Sequence, residues 1–266
     1  MTHPRKQIGL LRALGRARRL GDTGAVGLFR EWRLRNQLGR PLSIPESAAW
    51  LHETCRTGLP KAGVRLDVSG TPPKRGLLLS NHMSYLDVIT IAAASPAIFI
   101  AKKEVRDWLF LGRFARKANT LFLDRSRKSE VLRIQNEIRR LLREEVPLCL
   151  FPEGQTGDGR NLLPFRSPLL EPVAGTDIPV TCLGIGYTFT DGGDAGPDLA
   201  WSAGQSFFPN AWHLLKQAGV TAHLAFSGPM HCPPDRRQAA REFQETIEQL
   251  RHANIDNPRP PDDNEP

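Results

Sequence analysis

Beyond Gly58 the chain settles into short β-rich runs separated by helical stretches, and this alternation limits the fold to an α/β sheet. The runs are Val64 to Val68, Gly76 to Leu79, Ala97 to Ala101, Thr120 to Leu123, Leu148 to Phe151 and Pro179 to Ile185, with another near Thr221 to Phe226. Between them a helix is expected from Arg127 to Glu145, because Val131, Leu132, Ile134, Ile138, Leu141 and Leu142 fall on one face. Further helices are expected at Phe208 to Ala218 and Asp235 to Ala253. The fold class that follows is α/β, with a single mixed, largely parallel sheet flanked by helices over residues 59–253.

Residues 1–58 read as an N-terminal helical extension. Residues 5 to 20 place Ile8, Leu11, Leu14 and Ala17 near one helical stripe, with Lys6, Arg12, Arg16 and Arg19 largely off it. Such a basic amphipathic helix suits an anionic membrane surface, although Gly9, Gly15 and Gly21 weaken it as a helix. A second helix is expected over Ala25 to Leu38. A third opens at Ser43-Ile44-Pro45-Glu46, where Ser43 caps, Pro45 suits the first turn and Glu46 reaches back. Residues 254–266 are polar and proline-rich and read as a disordered tail.

Charge narrows the partners. The chain has 36 Lys plus Arg against 28 Asp plus Glu, a formal +8 that attracts anions. Nucleic acid is disfavoured, because the chain has only two tyrosines and its N-terminal basic residues sit among aliphatics rather than stacking aromatics. Cys55, Cys149, Cys182 and Cys232 are too far apart to form a C-x-x-C pair, so neither a metal site nor a redox dithiol is expected, and they read as reduced structural thiols. The uncharged stretch Val88 to Ala101 is too short to cross a bilayer and is broken by Pro96. Arginines recur through the first 19 residues where a secretory signal would need an apolar core, so a cytoplasmic location is expected.

The chemistry concentrates in Asn81-His82-Met83-Ser84-Tyr85-Leu86-Asp87. Gly76 to Ser80 reads as a buried strand running straight into His82, at the kind of strand end where α/β sheets bind ligands. Ser84 with Asp87 three residues on forms a capping box that starts a helix at Tyr85. Within one regular helix, two residues five apart diverge by about 140° and could not touch. A turn at Met83-Ser84 removes that obstacle and lets Asp87 accept the imidazole N–H, leaving the other ring nitrogen free as a base. The competing reading is that Asp87 only caps the helix and His82 only bonds to backbone.

Together with Phe122-Leu123-Asp124-Arg125 and Phe151-Pro152-Glu153-Gly154, this block resembles, in order and spacing, the glycerophospholipid acyltransferase family. Within that family it looks like the bacterial 1-acyl-glycerol-3-phosphate acyltransferases. Phe99 to Lys102, Gly112, Leu163 to Arg166 and Ile178-Pro179-Val180 add to the resemblance, which covers roughly residues 75 to 190. It implies a glycerol-3-phosphate acyltransferase-like sheet, a catalytic His82 and Asp87, and acceptor binding by Arg125, Glu153 and Gly154. Arg125 would offer a guanidinium fork to a phosphate, Gly154 would allow close backbone approach, and Glu153 would bond a hydroxyl or orient a cation. Lys102 is a second phosphate candidate. The chain departs from the family pattern at Gln155, where Thr is usual, and at Asn119, where Gly is usual. The run Gly157-Asp158-Gly159-Arg160 also looks like the lyso-ornithine lipid acyltransferases.

The resemblance thus implies transfer of a fatty acyl group from acyl-CoA or acyl carrier protein to the free hydroxyl of 1-acyl-sn-glycerol-3-phosphate, giving phosphatidic acid, with lyso-ornithine lipid as the competing acceptor. No cofactor beyond the thioester co-substrate and no metal is expected. The partners are the lysolipid, the acyl donor and an anionic membrane surface, with the protein peripheral on the inner face of the cell membrane. A non-catalytic basic peripheral membrane or lipid-binding protein is the reading of a different class.

Overall fold

The computed structural model describes residues 7–123, 130–201 and 205–256. Seven strands form one sheet: β1 (Val64–Ser69), β2 (Leu77–Ser80), β3 (Ile98–Lys102), β4 (Leu121–Leu123), β5 (Leu148–Leu150), β6 (Val180–Phe189) and β7 (Val220–Phe226). Their spatial order is β1-β7-β6-β2-β5-β3-β4. All neighbours pair in parallel except β6 and β7, so β1 and β7 run against the other five strands. This is the mixed, largely parallel sheet expected from the alternation of strand and helix. β2 lies near its centre with both faces covered, and all four of its residues are buried.

Alternation along the strands divides the core in two. Leu78, Phe99, Cys149 and Ile185 face one layer with Trp50 and Leu51 of α2 (Ile44–Ala62), Ile91 of α3 (Tyr85–Ala94) and Leu214 of α7 (Phe207–Lys216). Leu77, Leu79, Ile98 and Leu148 face the other, against Ile134 and Ile138 of α5 (Glu130–Leu141) and Phe243 and Ile247 of α8 (Arg236–Asp256). Short α4 (Leu111–Lys117) and α6 (Gly196–Leu199) complete the chain. Helix α8 runs to Asp256, past the expected boundary at 253, and the rest of the anticipated tail lies outside the described residues. Strand β6 likewise extends four residues beyond Ile185, because its second half pairs with β7.

The N-terminal region corrects one expectation. Where two helices were expected, a single helix α1 (Leu10–Leu38) passes straight through Gly21. A mid-helix glycine costs roughly 1 kcal/mol relative to alanine, and docking offsets it. Trp50 Nε1 donates to the Gly27 carbonyl at 2.7 Å. Arg16 donates to the carbonyls of Gln217 at 2.7 Å and Ala218 at 3.0 Å. Buried Glu31 pairs with Lys117 of α4. The α2 capping box forms as expected, Glu46 accepting from the Ser43 amide at 2.7 Å. The α1 face turned away from the domain carries exposed Leu10, Leu11, Leu14, Val26, Phe29 and Trp32. No helix among the described residues is long and apolar enough to cross a membrane.

Candidate active site

The site forms where β2 ends. Past Ser80, the Asn81 side chain continues the β2–β6 pairing, its Nδ2 donating to the Ile185 carbonyl at 3.0 Å and its Oδ1 accepting the Ile185 amide at 2.8 Å. The next residue, His82, therefore leaves a strand end fixed on both sides. Met83 and Ser84 make the turn, and Ser84 caps α3 with Asp87 at the third helical position.

That turn brings the two residues of the first block together. His82 Nδ1 lies 2.8 Å from Asp87 Oδ2. The same oxygen accepts the amides of Met83 at 2.7 Å and Ser84 at 2.8 Å, and Oδ1 accepts the Tyr187 hydroxyl at 2.8 Å. Asp87 is fully buried, and four donors converge on it, which suits an ionised carboxylate that can only accept. Nδ1 must then carry the ring proton, and Nε2 presents a lone pair on an imidazole whose side chain is 19% exposed. The ring lies flat against Phe151, with centroids 4.0 Å apart and planes 16° apart. Its orientation is thus set by a hydrogen bond at one edge and a ring on one face.

The third block clamps the histidine backbone. Glu153 Oε1 accepts the His82 amide at 2.7 Å and Oε2 accepts the Leu163 amide at 2.8 Å, while the Gly157 amide donates to the His82 carbonyl at 2.8 Å. Burial pushes the Glu153 carboxyl up to about 7, against the pull of those two amides. Both oxygens of Glu153 are thus taken by backbone, where a bond to a substrate hydroxyl or a cation had been expected. Gly154 has φ +74°, and a Cβ there would stand 2.7 Å from Arg166 Nε. The close approach that this glycine permits is therefore to Arg166, whose Nε donates to the Glu153 carbonyl at 3.3 Å, where close approach to a ligand had been expected.

Lys102 ends β3, exposed and at the same edge of the sheet as His82, two strand spacings or about 10 Å away. The structure does not bring it to the pair. Arg125 lies outside the described residues. Tyr187 and Phe151 are contributors that sequence reasoning missed. Phe151 stood in the third block but read as strand core, and Tyr187 lies about a hundred residues from its partner with no spacing signal to join them. No group of three or more metal-ligating side chains occurs among the described residues. The four cysteines are free, and burial pushes Cys55 and Cys182 up to about 12, so they stay unionised.

Known proteins resemble this chain in sequence and in fold. Lyso-ornithine lipid O-acyltransferase of Brucella abortus is 29% identical over 187 residues, 65% of this chain and 70% of that protein. 1-acyl-sn-glycerol-3-phosphate acyltransferase of Neisseria gonorrhoeae is 30% identical over 115 residues, 43% of this chain and 45% of that protein, so the likeness spans less than half of the latter's length. The crystal structure of the 1-acyl-sn-glycerophosphate acyltransferase of Thermotoga maritima superposes with a TM-score of 0.61 over 94% of this chain and 97% of that one, at 17% identity. Residues 65–186, which carry most of β1 through most of β6 and every residue of the His82 clamp, match the family model described as Acyltransferase, so the chain carries an acyltransferase-family domain over that span.

Proposed function

We propose that the protein transfers a fatty acyl group from a thioester, acyl-CoA or acyl carrier protein, to the free hydroxyl of a lysolipid, with His82 as general base and Asp87 as its orienting partner. One observation carries this reading: a fully buried carboxylate takes Nδ1–H of a histidine whose Nε2 is free at a strand end. Nε2 removes the hydroxyl proton as the oxygen attacks the thioester carbonyl, and the imidazolium formed is stabilised by Asp87. The thiolate leaves and takes up the proton, so no acyl-enzyme is needed. General-base help of this kind contributes about 10²–10⁴-fold, and holding the two substrates together supplies the remainder. Glu153 acts here by fixing the His82 backbone.

Two acceptors compete. The block order favours 1-acyl-sn-glycerol-3-phosphate, giving phosphatidic acid. Likeness to the Brucella relative runs over 187 residues against 115 for the Neisseria one, and this longer match moves the weight toward lyso-ornithine lipid. The protein works from the membrane surface, with the exposed apolar residues of α1 entering the acyl boundary and its arginines meeting anionic headgroups. The test is purified protein with labelled acyl-CoA and acyl carrier protein against a panel of lysolipids. Transfer to one lysolipid identifies the acceptor, and the absence of transfer to any lysolipid from either donor overturns the reading.

A further inference from the structure

A cavity of about 400 Å³ opens at the β4 edge of the sheet, lined by Arg106, Arg116 and Arg140 together with Asn119, Thr120 and Phe122. We propose that it holds the phosphorylated nucleotide end of an acyl-CoA donor, an assignment that rests on the acyl-transfer reading and names its donor. Three arginines line one cavity, and no carboxylate lines it among the described residues. Arg140 already has a carboxylate partner in Glu137, and the other two lining arginines have none among the described residues, so the cleft carries a net positive charge that concentrates anions. Two of the guanidiniums are held by one nitrogen each. Arg116 Nη1 donates to the Arg106 carbonyl, and Arg140 Nε donates to Glu137 Oε2 at 2.9 Å, which leaves their remaining N–H groups for a ligand.

The loop that shapes the cavity is also fixed. Asn119 has φ +53°, in the left-handed region that asparagine tolerates better than most residues, and its Nδ2 donates to Ser47 Oγ at 2.7 Å. This accounts for Asn at a position where the family usually has Gly. Thr120 adds a hydroxyl, and Phe122 supplies an aromatic wall of the kind on which a base stacks.

Position selects the ligand. Strand β4 lies three spacings from β2, about 14 Å. The pairings Leu77↔Leu148, Ile98↔Leu148 and Lys102↔Leu123 set Leu123 level with Asn81, so the cavity lies a few residues below His82, roughly 17 Å from it overall. A glycerol phosphate cannot place its phosphate there and its hydroxyl on His82. Coenzyme A can, because its pantetheine arm separates nucleotide from thioester by a gap of this order. A cavity of this size also suits a nucleotide better than the surface of a carrier protein.

The test is calorimetry on the full chain with coenzyme A, dephospho-coenzyme A and lysophosphatidic acid, alongside steady-state kinetics with acyl-CoA. The variants are R106Q/R116Q and R140Q, the latter at an exposed side chain whose loss spares the fold. Coenzyme A should bind at least 10-fold more tightly than its dephospho form. Each variant should weaken that binding several-fold and raise KM for acyl-CoA, leaving KM for the lysolipid unchanged. Equal binding of the two coenzymes, unaltered KM for acyl-CoA in both variants, or competition for the site by lysophosphatidic acid would overturn the assignment. Persistent, arginine-dependent coenzyme A binding without turnover on any lysolipid would support the nucleotide site while sinking the acyl-transfer reading, so the two failures are distinct.

Discussion

Glu153 holds the amide of His82 at 2.7 Å through one oxygen and the amide of Leu163 at 2.8 Å through the other, so a buried carboxyl ties the turn after β2 to the loop that follows β5. Burial raises this carboxyl from 4.5 to about 7. Its folded value exceeds its unfolded one, so the folded state binds the proton more tightly. The stability that this group contributes is fully present below about pH 4.5 and is lost as pH rises toward 7. Unfolding free energies of wild type and E153Q, measured across that window, should converge or cross by on the order of 3 kcal/mol. Parallel curves would show that Glu153 titrates normally.

Replacing the base should separate chemistry from folding. H82A should lose about 10²–10⁴-fold in kcat and remain folded, with a stability loss of about 1.5–3 kcal/mol for the bond from Nδ1 to buried Asp87. D87N should lose turnover comparably and also stability, because a neutral amide weakens the bonds from His82, Met83 and Ser84 and turns a donor toward the Tyr187 hydroxyl. Near-normal kcat in H82A would remove His82 from the mechanism.

Tyr187 bears on the same carboxylate from the far side. Y187F keeps the buried ring and removes only the donor to Asp87 Oδ1. A hydrogen bond to a charged group is worth about 1.5–3 kcal/mol, so chemical denaturation should show a loss of that size. The kcat should fall as well, with KM for both substrates unchanged, because the carboxylate that orients the imidazole loses one of its anchors. A stability loss without any fall in kcat would make Tyr187 purely structural.

Phe29 and Trp32 are 61% and 56% exposed on the face of α1 turned away from the domain, the face proposed to meet the membrane. F29S/W32S should leave the thermal midpoint unchanged and cut sedimentation with anionic vesicles several-fold. Each buried large side chain supplies about 1.5–3 kcal/mol to such binding. Vesicle binding equal to wild type would place the contact on another surface.

Gly154 adopts φ +74° beneath Arg166, so G154A introduces both backbone strain and a contact 2.7 Å from the Arg166 Nε atom. A loss of at least about 1 kcal/mol is expected in denaturant unfolding. Wild-type stability in G154A would mean that Arg166 moves aside freely.

Much of this was legible in local sequence because it is set by local physics. The strands follow from short apolar runs, the starts of α2 and α3 from Ser43 with Glu46 and Ser84 with Asp87, and the contact of His82 with Asp87 from a turn and a capping box within seven residues. The fusion of α1 across Gly21 was not legible, because the docking that outweighs a glycine comes from Trp50, Lys117 and the carbonyls after α7. Nor were the tasks of Glu153 and Gly154. A motif shows that a carboxylate and a glycine are present, but the amides and guanidinium they meet arrive from His82, Leu163 and Arg166 only when the loops close.

The sequence by itself determined an α/β sheet with a histidine at a strand end and an aspartate turned back toward it, since period, capping and turn geometry act over a few residues. Only the tertiary structure decided which groups make that pair a defined chemical unit. Tyr187 of β6, Phe151 after β5 and the Glu153 clamp reach it across the sheet, and hydrogen bonds and ring contacts between residues about seventy to a hundred positions apart depend on strand order and register, which no local pattern encodes.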